Sequence, residues 1–288
     1  MMQRAFGPAR TQLPLLGLGC SRIGSLGNPV PMRDMRRLLE RSLELGVSLF
    51  DTADIYGQGD SEREIGRLIA GRRDEAFVVT KVGKRFSRKM RLMRSLKPVL
   101  KPMLGRAGSA RKAVVGRRDA NLATDFSPAH ITAALDDSLK RLGTGHVDAL
   151  LLHSPPAGDV TLEAAEALEA LKRAGKLRHY GMSCDDLPAL EATLALPGIE
   201  MVELPIDVLD AAIETGLTEI IKRRSIGVLA REVLRLQPGL APGEALVRAA
   251  RRHGVTSVIL GTSSIGHLEH ALAALEAGIE APTPVTGG

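Results

Sequence analysis

Two rhythms of apolar and polar positions alternate along the chain. Short, nearly unbroken apolar runs occur at LPLLGLG (13–19), VSLFD (47–51), FVVTK (77–81), VDALLLH (147–153), HYGMS (179–183), MVELPI (201–206), IGVLAR (226–231) and TSVILG (256–261). Runs of this kind predict parallel strands covered on both faces. Between them, apolar residues recur every three or four positions, which predicts helices near 32–45, 61–70, 128–141, 161–174, 186–195, 213–223, 243–253 and 265–277. Ser127-Pro128 and Thr161 have the form of helix starts, because a hydroxyl can accept a first-turn N–H and proline suits the first turn. Gly46, Gly71, Gly143 and Gly175 have the form of helix stops.

Eight strand–helix repeats in 288 residues predict an α/β chain folded as a single (β/α)8 TIM barrel over 1–288. One spacing is exceptional. About 70 residues separate the starts of the third and fourth strands, so residues 82–127 are expected to form a long loop or lid inserted there. A doubly wound sheet is the alternative. It calls for a glycine-rich dinucleotide fingerprint opening a helix, and GLGCSRIG (17–24) leads into no immediate helix.

Charge sharpens the picture of the insertion. Residues 82–118 hold 13 of the 39 Lys/Arg and no acidic residue, leaving 26 Lys/Arg against 33 Asp/Glu elsewhere. The basicity therefore belongs to one segment. Phe86, Met90, Met93, Leu96, Leu100 and Met103 or Leu104 recur within it at helical steps, interrupted by Pro98 and Pro102. A solvated lid packed on the barrel is one expectation. Contact with an anionic membrane surface or an acidic ligand through residues 84–118 is the other. Nucleic acid is not expected, since aromatics are 2% of the chain and Trp is absent. Two cysteines, Cys20 and Cys184, fit a reducing, cytoplasmic setting better than a disulfide scaffold. The N-terminal stretch lacks an apolar signal run, and no run of 18 apolar residues predicts a membrane span.

Candidate chemistry lies at the predicted strand ends. Asp51 closes the second strand, Lys81 the third and His153 the fourth, and Tyr56 follows Asp51 by five positions in DTADIYGQGDSE (51–62). Reactive groups of a barrel gather at the C-terminal ends of its strands, so these four are expected at one mouth. Taken singly, Asp51 also reads as a loop cap and Lys81 as an exposed strand-end charge. Tyr180 reads as core. His130, His146, His179 and His253 lack paired metal-ligand spacing, and no metal site is expected.

The string FDTADIYGQGDSEREIG resembles the signature of the aldo-keto reductase superfamily, with TKVGK supplying a strand-end lysine and DALLLHSPP a strand-end histidine. The resemblance continues through SLKRLGTGHVDALLLH, YGMS, IGVLA and SVILGTSSIGHLE, and covers most of the chain outside the basic segment and the extreme termini. It implies NADPH-dependent reduction of an aldehyde or ketone, with NADH as the other cofactor option. Tyr56 would be the proton donor, Lys81 and Asp51 would tune it, and His153 would orient the carbonyl. An ammonium about 4 Å from a phenol, at an effective dielectric of about 20, favours phenolate by about 4 kcal/mol. That would be about 3 pKa units before desolvation opposes it.

The resemblance also implies cofactor positions: Gly19, Cys20 and Asp51 near the first two strand ends, Ser183-Cys184 after the fifth strand, Glu203 after the sixth, and Arg231 after the seventh. Three depart from the family pattern, which has Asn, Gln and an aromatic where Cys184, Glu203 and Arg231 stand. A thiol lacks an amide's donors, and a guanidinium beside nicotinamide would disfavour its oxidised, cationic form. Gly261, Thr262, Ser263 and Ser264 would hold phosphate at the last helix start, with His267 and His270 as candidates for a 2′-phosphate. Two further classes remain: a cofactor-bound regulatory or scaffold protein on the same barrel, and a protein acting through its basic segment on a membrane or polyanion. Substrate identity and oligomeric state are not legible.

Overall fold

The computed structural model describes residues 1–25, 27–86 and 122–280. In chain order the strands are β1 (Gln3–Phe6), β2 (Thr11–Pro14), β3 (Leu16–Gly19), β4 (Leu49–Asp51), β5 (Phe77–Val82), β6 (Lys84–Phe86), β7 (Leu122–Thr124), β8 (Val147–His153), β9 (Leu177–Ser183), β10 (Met201–Pro205), β11 (Gly227–Arg231) and β12 (Ser257–Leu260). Eight of them, β3, β4, β5, β8, β9, β10, β11 and β12, close into a parallel barrel in that order. The described helices are α1 (Met32–Glu44), α2 (Asp60–Ile69), α3 (Pro128–Leu142), α4 (Leu162–Arg173), α5 (Leu187–Ala195), α6 (Ile206–Glu214), α7 (Leu217–Arg223), α8 (Pro242–Ala250) and α9 (Ile265–Glu280). This is the expected (β/α)8 barrel, and the doubly wound alternative is excluded by the closed sheet.

Strand alternation divides the buried residues into two cores. Leu18, Phe50, Val78, Leu150, Met182, Val202, Leu204 and Val228 point outward and pack under the helices. Leu49, Val79, Ala149, Leu151, Met201, Leu229 and Ile259 point inward and fill the barrel. Successive side chains of a strand face opposite sides, so one apolar run supplies both cores. The helices answer with one buried stripe each: Met35, Leu38, Leu39 and Ser42 in α1, and Ile131, Ala134, Leu135, Ser138 and Leu142 in α3.

The expected caps form. The Ser127 hydroxyl accepts from His130 N at 3.3 Å and the Thr161 hydroxyl from Ala164 N at 3.3 Å. Gly46, Gly71, Gly143 and Gly175 all adopt positive φ. Two predicted elements differ. The run at 13–19 is two strands: Thr11–Pro14 pairs antiparallel with Gln3–Phe6, and only Leu16–Gly19 joins the barrel. The hairpin carries Phe6 and Leu13 into the barrel's N-terminal end, where they join the inner core. The helix expected at 213–223 is α7, which starts after Gly216 at φ +78°, and an unexpected helix, α6, precedes it over Ile206–Glu214. Helix α6 starts directly after Pro205, which stands at its N-cap in an extended conformation.

Lys84–Phe86 and Leu122–Thr124 pair antiparallel between β5 and β8, so the insertion leaves and returns side by side. The helical pattern read between Phe86 and Leu104, and nearly all of the basic run, lie outside the described residues. Among the described residues no helix is long and apolar enough to cross a membrane, and no group of three or more His, Cys, Asp or Glu could hold a metal.

Candidate active site

Five polar groups of the site each follow an apolar inward residue by two positions. Leu49 is followed by Asp51, Val79 by Lys81, Leu151 by His153, Met201 by Glu203 and Leu229 by Arg231. The same alternation that fills the barrel therefore raises a ring of charged and polar groups at its C-terminal end. Tyr56 comes from the loop after β4. Thr52 N donates to Val79 O (2.8 Å) and Asp54 N to Lys81 O (3.1 Å), fixing that loop over β5. A tight turn at Tyr56–Gln58 follows, with Gly57 and Gly59 at φ +59° and +85°. A Cβ on Gly57 would stand 2.6 Å from Ile23 O, so the turn that presents Tyr56 requires glycine there.

Lys81 is fully buried and donates to Asp51. Its Nζ also lies 3.0 Å from Glu203 Oε2 and 5.5 Å from the centre of the Tyr56 ring. The Tyr56 and His153 rings meet edge to face, 5.7 Å apart. Asp51, Tyr56, His153, Ser183, Glu203 and Arg231 line a cavity of about 1070 Å³ that opens at the mouth. Lys81 does not line it but sits beneath.

Burial pushes the Asp51 carboxyl up to about 7, with the nearby Glu203 charge adding to the rise and Lys81 opposing it. Burial works against the Lys81 ammonium, but Asp51 and Glu203 outweigh it and hold its pKa above the ordinary lysine value. Burial, followed by the cations Lys84, Lys81 and Arg231, drives His153 well below the usual imidazole range, leaving it neutral. The Tyr56 phenol is moved up rather than down. Burial dominates, Lys81 opposes it, and Asp51 and Glu203 add to the rise. The expected lowering by Lys81 is thus reversed, first because burial of the phenol outweighs the ammonium and second because Asp51 and Glu203 offset the ammonium's charge.

The remaining candidate positions divide by strand parity. Ser183 faces the cavity, and its hydroxyl donates to Glu203 Oε1 at 3.4 Å. Cys184, the next residue, faces outward and lies buried against the Thr193 hydroxyl at 3.4 Å. Cys20 is likewise buried outside the cavity, its thiol donating to Leu18 O at 3.4 Å. Neither thiol is brought to the cavity. Arg231 reaches it but is not a free cation: it pairs with Asp185, with Glu232 at 2.5 Å and with Glu203 at 3.3 Å. Three carboxylates compensate the charge expected to disfavour oxidised nicotinamide.

Gly19 and Gly261 line the cavity. The Thr262 hydroxyl accepts from Ser264 N (3.1 Å) in the turn before α9, and the Ser264 hydroxyl accepts from His267 N (3.3 Å) in its first turn, so both hydroxyls are engaged locally. Ser263 stands between them, half-buried. His267 and His270 are exposed on α9, away from the cavity lining. Elsewhere, Tyr180 is core as expected, its hydroxyl donating to Glu169 at 3.1 Å. The sequence reading missed two things: Glu203 as a second partner of Lys81, and Asp185 with Glu232 as anchors of Arg231. Inward parity marks Glu203 and Arg231, but no sequence signal joins them to Lys81.

The residues present fit a nicotinamide group. The cavity floor offers acceptors on Ser183 and Glu203 suited to an amide N–H₂, next to Tyr56 and His153. Cys184 takes no part in that fit.

The fold is a closed (β/α)8 barrel with a polar cluster at the C-terminal ends of its strands, and a family model for the aldo/keto reductase family matches residues 15–240. The chain belongs to the aldo/keto reductase family. It is similar to the uncharacterized oxidoreductase YqkF of Bacillus subtilis (27% identical over 231 residues, 80% of this chain and 64% of that protein). It is also similar to an NADH-specific methylglyoxal reductase of Escherichia coli (27% identical, 84% of this chain and 70% of that protein). Among solved structures, the holo form of an aldo-keto reductase from Bacillus halodurans superposes with a TM-score of 0.73 at 26% identity, covering 99% of this chain and 93% of that one. The chain spans about half to two thirds of the length of the curated relatives it matches first.

Proposed function

We propose that this chain reduces the carbonyl of an aldehyde or ketone to an alcohol, with a nicotinamide dinucleotide as cofactor and Tyr56 as proton donor. The observation that carries this reading is the stack at the cavity floor: Asp51 and Glu203 on the buried Lys81 ammonium, the ammonium beneath the Tyr56 ring, and Tyr56 edge-on to His153. The dinucleotide, when bound, supplies the hydride. Ser183 and Glu203 would hold its carboxamide and Arg231 would flank it, while Gly261 to Ser264 would face its phosphates. NADPH is the proposed form, with His267 and His270 meeting a 2′-phosphate.

The chain's own groups account for the rest. A carbonyl oxygen at the floor would accept hydrogen bonds from the Tyr56 hydroxyl and from neutral His153. As negative charge grows on that oxygen, both donors strengthen and Tyr56 transfers its proton to it. Lys81 stabilises the phenolate left behind, and Asp51 keeps Lys81 charged and in place. Fluorescence titration with NADPH and NADH, followed by dinucleotide oxidation with a panel of aldehydes and ketones, tests the reading. Binding of one dinucleotide and carbonyl-dependent oxidation are expected. Binding without turnover on any carbonyl would instead favour a sensor built on the same barrel.

A further inference from the structure

Glu203 is 2% exposed and is held by groups from three other strands. Its Oε2 lies 3.0 Å from Lys81 Nζ on β5. Its Oε1 accepts from Ser183 on β9 (3.4 Å) and lies 3.3 Å from Arg231 Nε on β11. A carboxylate in this place changes the charge of the floor, and an amide of the same shape would not. The charged and titratable groups facing Tyr56 are Asp51 from β4, Lys81 from β5, His153 from β8, Glu203 from β10 and Arg231 from β11. Ser183 from β9 is uncharged, and Lys84 acts on His153. With His153 neutral, Glu203 and Asp51 share the Lys81 ammonium, Asp51 as an anion once the pH has risen past about 7, and Arg231 is divided among Glu203, Asp185 and Glu232.

We propose that Glu203 is a positioning residue of this site. With Asp51 it holds the Lys81 ammonium and offsets its charge, and so it sets the pH range over which Tyr56 keeps its proton. This deepens the reading of Tyr56 as proton donor and rests on it only for its consequence in turnover. The electrostatic core stands apart from catalysis. A buried like charge within a few ångströms of the Lys81–Tyr56 pair opposes formation of phenolate, whatever the site is used for. Arg231 tempers Glu203, so its loss acts in the opposite sense.

The composition makes the test direct. The chain has two tyrosines and no tryptophan. Tyr180 lies outside the barrel wall and donates to Glu169. In a Tyr180→Phe background, the tyrosinate absorbance of the full chain reports Tyr56 alone. The parent is expected to ionise above the roughly pH 10 of free tyrosine. Glu203→Gln should move the midpoint down by about 1–2 pH units, Glu203→Asp should keep it near the parent, and Arg231→Gln should move it up. Where turnover is observed, the alkaline limb of carbonyl reduction should fall with Glu203→Gln by a similar interval. A tyrosinate titration unchanged by both Glu203→Gln and Arg231→Gln overturns the proposal. A shifted titration in a protein without turnover upholds it and removes the reductase reading alone. Because Glu203→Gln and Arg231→Gln predict opposite shifts, either variant suffices if the other does not fold.

Discussion

Leu49, Val79, Leu151, Met201 and Leu229 point into the barrel one pleat below Asp51, Lys81, His153, Glu203 and Arg231 on the same five strands. The lower layer continues to the N-terminal end, where Phe6 and Leu13 of the β1–β2 hairpin close it. Phe6 packs against Phe77 at 6.3 Å and His179 at 4.7 Å between ring centres. A Cβ on Gly227 would stand 2.8 Å from the Phe6 ring, so the plug occupies room that a missing side chain leaves. Burying each apolar side chain there contributes about 1.5–3 kcal/mol. The upper layer does the reverse. It holds an ammonium and two carboxylates out of water, where desolvation offsets most of the Coulomb gain. One end of the interior is built to be stable and the other to hold reactive charge. The distance between the two is a single pleat.

The comparison breaks most visibly at Tyr56. Tyr56→Phe should lower carbonyl reduction by roughly 10²–10⁴-fold while leaving dinucleotide binding and thermal stability near the parent values. Turnover and a melting curve on the same preparation check both halves. Phe6→Ala should do the opposite at the other end. It should destabilise the fold by about 3–5 kcal/mol, as large-to-small aromatic core changes do, while kcat per folded molecule at 25 °C stays unchanged. Denaturant unfolding against active-site titration separates the two.

The pH dependence of stability should carry opposite signs at the two ends. Asp51 has its folded pKa raised to about 7 from the ordinary carboxylate value of 3.8, so the folded state holds a proton that the unfolded chain releases. Its contribution to stability is present below the unfolded pKa and is lost as pH rises through the folded one. Asp51→Asn should flatten that fall between about pH 4 and 7 in a series of thermal melts. Glu200 lies near the plug, 3.5 Å from His179 Nδ1 and 2.6 Å from Lys172 Nζ. Burial pushes it up, but His179 and Lys172 outweigh burial and hold it below the ordinary value. Its contribution is present above the unfolded pKa and is lost as pH falls through the folded one. Glu200→Gln should cost less than about 1 kcal/mol at pH 7 and nothing once both forms are protonated. This is the smallest of the four effects.

Much of this was legible in the chain. Eight apolar runs alternating with amphipathic stretches determine the barrel, because strands covered on both faces and helices with one apolar stripe have few ways to bury those surfaces together. The positions of Asp51, Lys81 and His153 at strand ends follow from the same runs, and Tyr56 from its fixed distance beyond Asp51. The resemblance put Ser183 and Cys184 together at the cofactor, whereas the structure turns only Ser183 to the cavity, since neighbouring residues along a strand direction face opposite sides. The double role of the run at 13–19 was less visible, because Pro14 marks no difference between a barrel strand and a hairpin strand until Gln3–Phe6 is seen to pair with it. Only the tertiary structure decided the charge balance of the site. Lys81 and Glu203 stand 122 positions apart on β5 and β10, with β8 and β9 between them around the wall. They meet because the sheet closes and points both side chains at one axis. The net effect on Tyr56 depends on that meeting, since a buried ammonium with two carboxylates acts differently from the single ammonium that the motif suggests.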